Sequence, residues 1–125
     1  MRSPLRIVAV LVGAFFALQG LNWLAQPAAA AAGLALPLLD GLARSTEIGD
    51  FAAFFLAIGA VTIVGTRPGR ARLLLVPAAT LGAAALSRTI AWAAHGASFA
   101  PAFVGVEVAA SAFLAFASQR LDAKS

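Results

Sequence analysis

IVAVLVGAFFALQGLNWLAQPAAAAAGLALPLL, residues 7–39, runs for 33 positions without a charged side chain. One helical span across a bilayer core of about 30 Å takes about 17–25 residues, so the run is too long for a single crossing. Gln19, Asn22, Pro27 and Pro37 interrupt it, and proline lacks the amide donor that a helix interior uses. The run therefore reads as a membrane helix over residues 4–25 followed by an outer connection over residues 26–46. Within that connection the apolar piece 28–36 is expected to lie along the interface or to dip in as a short helix. Arg2 and Arg6 ahead of the run, with Gln26-Pro27-Ala28-Ala29-Ala30 behind it, also have the outline of a cleavable leader. We read the segment as a genuine first helix.

Beyond it, the remaining charges divide the chain into three more pieces of spanning length. A second helix is expected over 47–65, opened by Glu47 with Ser45 or Thr46 as N-cap and closed by the polar turn Thr66-Arg67-Pro68-Gly69-Arg70. A third covers 72–95, with Pro77 inside it as a candidate kink. Gly96-Ala97-Ser98 turns the chain, Pro101 suits the first turn of a fourth helix over 100–119, and a polar tail follows. The expected fold is all-α: one domain over residues 1–125, an integral-membrane four-helix bundle.

Composition agrees. Of 125 residues, 62% are hydrophobic and 11% charged, against roughly 45–50% and about 25% in soluble domains. This excludes a disordered chain and argues against a water-soluble globule. Alanine supplies 33 residues, so helices can approach closely. Small residues four apart recur at Gly13/Ala17, Ala53/Ala57, Ala78/Gly82 and Gly105/Ala109, a spacing that favours tight packing in membranes. The absence of cysteine excludes disulfides, thiolate metal sites and cysteine nucleophiles. There is no phosphate-binding glycine loop, dinucleotide fingerprint, zinc motif or serine-nucleophile motif.

The net charge of +4 is explained by topology. With four spans, Arg2, Arg6, Arg67, Arg70, Arg72, Arg120 and Lys124 fall on one side and only Arg44 on the other, while Arg88 lies within a helix. Basic residues accumulate on the cytoplasmic side. Both termini are therefore expected in the cytoplasm of a cell whose inner (plasma) membrane holds the chain, with membrane lipids as partners, a larger membrane complex as a further candidate partner, and no nucleic acid.

The informative residues are polar ones at one depth. At about 1.5 Å per residue, Asn22 stands about 22 Å above Ile7, Arg88 about 22 Å above Leu73, and Glu107 about 12 Å below Phe99. Glu47 and Asp50 open the second helix on the same side. Asn22 and Trp23 share a face with Gln19; Arg88, Trp92 and His95 share another; so do Glu107 and Ser111. A charge facing lipid at this depth costs a few kcal/mol, so these faces should point inward. The bland reading is a structural ion pair from Arg88 to Glu107, Glu47 or Asp50. The sharper reading is an outward-opening pocket for a small or amphipathic ligand, formed by Asn22, Trp23, Glu47, Asp50, Arg88, Trp92, His95 and Glu107. Simpler roles exist for each: dipole partners at a helix N-terminus for Glu47 and Asp50, an interfacial hydrogen bond for His95, and membrane-belt aromatics for Trp23 and Trp92. Phe51, Phe54 and Phe55 read as packing. No residue is assigned a catalytic role and no cofactor or metal is expected, His95 being the sole histidine.

Arg44-Ser-Thr-Glu47-Ile-Gly49, then Ser87-Arg88, His95-Gly96 and Glu107, in this order, resemble a bacterial four-helix membrane family catalogued as domain of unknown function 4345. The likeness spans roughly residues 5–118, with Asp50 where that pattern has a second glycine. It implies a membrane bundle and no activity. The expected function is a small non-enzymatic membrane protein: a lipid or small-ligand binder, or an accessory subunit of a larger complex. The alternatives are a compact membrane enzyme using intramembrane carboxylates on an isoprenoid- or sterol-like substrate, and a proton or cation pathway. An enclosed acid pair facing an apolar cavity, such as Glu107 with Asp50, would favour the enzyme. Acids fully tied to Arg44 and Arg88, with no cavity, would favour the accessory subunit.

Overall fold

The computed structural model describes residues 3–124, with side chains as far as Leu121. Arg2 and the side chain of Lys124, both counted in the orientation argument, lie outside the described residues. The elements are α1 (Pro4–Ala25), α2 (Pro27–Gly33), α3 (Gly41–Gly65), a single 3₁₀ turn (Ala71–Leu74), α4 (Leu75–His95) and α5 (Pro101–Lys124). Among the described residues there is no strand. Four helices are long and apolar enough to cross a membrane: α1, α3, α4 with its 3₁₀ turn, and α5 as far as Leu121.

Local chemistry explains the ends. The Ser3 hydroxyl accepts the Arg6 amide at 3.1 Å, and Pro4 occupies the first turn of α1, where no amide donor is needed. Gly96 closes α4 in the left-handed region at φ 73°, and the Ala97 amide donates back to the Ala91 carbonyl at 3.1 Å. This glycine-terminated closure satisfies carbonyls that the helix leaves open.

Three boundaries differ from the sequence reading. The second long helix begins at Gly41 rather than Glu47, with Asp40 in extended conformation as its N-cap, so Ser45 and Thr46 are helical and cap nothing. Its extra turns carry an Asp40–Arg44 ion pair at 3.0 Å, one helical turn apart, and an Arg44 Nε donation to the Leu39 carbonyl at 2.7 Å. Such short-range pairs support a helix that apolar patterning does not announce. Pro77 lies in the first turn of α4, just after the 3₁₀ turn, and is no interior kink. The tail expected after residue 119 continues α5 to Lys124.

The helices pack as two antiparallel pairs, α1 on α3 and α4 on α5. Gly59 makes the first contact: a β-carbon there would collide with the backbone of Gly13 and Ala17. In the second pair, the Ser111 hydroxyl donates to the Ala78 carbonyl at 2.6 Å and lies 3.3 Å from where a β-carbon on Gly82 would sit. Two of the four small-residue pairs are thus helix contacts. Gly105 has open space around it and Ala53 and Ala57 are exposed.

At the end nearest the turn after α3, both pairs share one core: Phe16, Ile58, Leu74, Leu81, Leu114 and Leu121. Toward the other end the core belongs to α1, α2 and α3 alone, with Trp23 against Ala30, Ala31 and Ala52. The alanines of α2 are small enough to seat that short helix on Trp23. The two pairs therefore meet at the turn end and leave space between them at the connection end.

Candidate functional site

That space is a cavity of about 740 Å³ reached by all five helices. Phe16 and Leu81, part of the shared core, form its floor. Phe15, Phe51, Phe54, Phe55 and Phe103 supply aromatic walls, and Gln19, Asp50, Ser87, Arg88 and Glu107 supply the polar groups. These polar groups stand in one layer because of where each helix starts. Counting at the helical rise, Asp50 is about 24 Å from Thr66, Arg88 about 21 Å from Leu74 and Glu107 about 20 Å from Arg120.

Arg88 Nε donates to Glu107 Oε1 at 2.9 Å, bridging α4 and α5. The same guanidinium lies over the Phe103 ring, 4.7 Å from its centroid, an arrangement that attracts a cation to the ring face. Both charges border the cavity, with side chains 34% and 13% exposed. The pair is a partly buried one, with more weight than a surface salt bridge.

Glu47 has a different role from the one the sequence suggests. It sits in the second turn of α3, buried, and its Oε1 accepts the Leu39 amide at 2.8 Å. It ties the connection down onto the helix and satisfies a backbone donor that would otherwise lie unpaired. Its position borders a second cavity of about 440 Å³, lined also by Leu36, Leu39, Ala43 and Thr46. Asp50 and Phe51 are common to both cavities. Among the described residues, no hydrogen bond or ion pair engages the Asp50 carboxylate.

Besides Glu47, four of the expected site residues stand apart from the main cavity. Trp23 is 1% exposed and stacks on Phe51 with ring centroids 4.9 Å apart, so it backs the wall and is neither a liner nor a belt residue. Asn22 is half-buried one position earlier and does not line the cavity. Trp92 is 50% exposed and packs on Phe99 at 5.2 Å, and His95 is exposed in the last turn of α4. Both continue the face of α4 beyond Arg88 into its exposed last turns. Among the described residues, no three metal-ligating side chains come together.

The residues that the expected site left out are the polar Gln19 and Ser87 and, above all, aromatic ones. Phe51, Phe54 and Phe55 both pack and line the cavity, joined by Phe15, Phe16 and Phe103. Their spacing along each helix is that of ordinary core positions. Only the parting of the two pairs turns these rings into a wall. No protein-family model, curated protein sequence or solved structure matches the chain.

Proposed function

We propose that the chain is a non-enzymatic, multi-pass membrane protein that binds a lipid or another amphipathic small molecule in the cavity between its helix pairs. The carrying observation is the cavity itself: an apolar, phenylalanine-rich volume of about 740 Å³ with its polar groups confined to one layer. Small-molecule sites have this composition and run about 300–1,000 Å³. A single-chain amphiphile from the surrounding membrane would place its tail on Phe16 and Leu81 and its head beside Asp50, Ser87 and Arg88. The basic residues at the turn end support an orientation with both termini cytoplasmic in a bacterial inner membrane, which puts the polar layer in the outer leaflet. The functional reading rests on the cavity.

Two features weigh against the other readings. Asp50 and Glu107 both line the cavity, but Glu107 is engaged by Arg88 and Asp50 is exposed, so they do not form the enclosed acid pair an enzyme would use. A subunit whose interior serves only packing would have no use for such a volume. The test is native mass spectrometry of the protein extracted from membranes in a mild detergent, with identification of bound lipid. The wild type should carry about one amphiphile per chain, and Ala84→Phe, which places a ring inside the cavity, should lose it. Equal occupancy in both, or none in the wild type, overturns the proposal and favours the accessory-subunit role.

A further inference from the structure

Resting on that reading, we infer that the head group held in the cavity is a cationic amine, with the Asp50 carboxylate as its counter-ion. The argument is one of charge accounting at the polar layer. Arg44 is taken by Asp40, Arg88 by Glu107, and Glu47 by the Leu39 amide. Of the acids Asp40, Glu47, Asp50 and Glu107, Asp50 alone has no partner among the described residues; it is exposed on α3, ahead of a stretch that carries no further charge before Arg67. It faces cavity on two sides. Counting Arg88, Glu107 and Asp50, the charged lining of the main cavity has one cation and two acids.

Each head-group chemistry meets this lining differently. An anionic head would meet an Arg88 whose charge Glu107 already balances, and would be repelled by both Glu107 and Asp50 on the same lining. A neutral alcohol can hydrogen-bond to Asp50 and leaves its charge uncompensated beside a largely apolar cavity wall, where an ionic partner weighs more than it does in bulk water. An ammonium supplies the missing charge and the donors a carboxylate accepts. The rings adjoining Asp50 add to this: Phe51 and Phe54 share the cavity wall with it, and aromatic faces attract ammonium groups. The tail has room below, since the cavity extends from Arg88 to Leu81, about 10 Å along α4.

The test uses the full chain in a neutral detergent with three probes of equal chain length: decylamine, decanol and decyl sulfate. Binding is read by thermal unfolding and by stoichiometry in native mass spectrometry. Decylamine should bind one per chain and about tenfold more tightly than the other two, a preference of ~1.4 kcal/mol. Asp50→Asn should reduce decylamine to the level of decanol, while Asp50→Glu keeps the preference. Asp40→Asn, which removes a surface acid outside both cavities, should change nothing. An amine preference that survives in Asp50→Asn, or equal binding of decanol and decylamine to the wild type, overturns the charge assignment and leaves the cavity reading standing. Failure of all three probes to bind the wild type overturns both.

Discussion

Arg88 and Glu107 join α4 to α5 at 2.9 Å, on the rim of the space that separates this pair from α1 and α3. Deleting the cation would leave Glu107, 13% exposed, without its partner. Removing one member of a fully buried pair costs about 3–5 kcal/mol, and partial exposure lowers this to about 1–3 kcal/mol. Arg88→Leu should therefore melt well below the wild type in detergent. Arg44→Leu breaks a pair whose Asp40 is almost fully exposed and should cost at most about 1 kcal/mol. Differential scanning fluorimetry of the two variants checks this, and equal melting temperatures would contradict it.

Gly59 and Gly105 are both helical glycines with opposite surroundings. Gly59→Ala pushes a methyl into the backbone of α1, and overpacking of this kind costs about 1–3 kcal/mol. Gly105→Ala meets open space and gains helix propensity, worth up to about 1 kcal/mol. The first should lower the melting temperature and the second should leave it unchanged or raise it. A stability gain from Gly59→Ala would show that α1 and α3 do not approach as described.

Glu47 holds the connection through the Leu39 amide. Glu47→Ala should speed hydrogen exchange over residues 34–40, with the Leu39 amide losing its protection first. Glu47→Gln keeps a carbonyl acceptor in place and should retain most of that protection. Identical exchange in all three proteins would remove the tie from the account.

Because the chain has no cysteine, single introduced cysteines can report its orientation cleanly. Cysteine at Gly69, in the turn after α3, should react with a membrane-impermeant maleimide only after cells are opened. Cysteine at Ala97, between α4 and α5, should react in intact spheroplasts. The reverse pattern would invert the proposed topology, and with it the leaflet from which a ligand enters.

The number of spans and the all-helical class were legible in the residues, because a bilayer core imposes length and polarity limits that act on each segment by itself. The glycine and proline turns were legible for the same local reason. So was a layer of polar side chains, since helical rise converts residue number into depth. Which members of that layer meet is another matter. Arg88 had three acids at a similar depth, and only the packing of α4 on α5 assigns it Glu107. Glu47 and Asp50 share a face of α3, yet the fold of residues 34–40 buries one and leaves the other unpartnered. Trp23 and Trp92 look alike as boundary aromatics, and α2 covers the first while nothing comparable buries the second. The cavity has no signal of its own in the sequence. It arises because two helix pairs share a core at one end and part at the other, and a volume between elements depends on how they are placed relative to one another rather than on the periodicity of any single one.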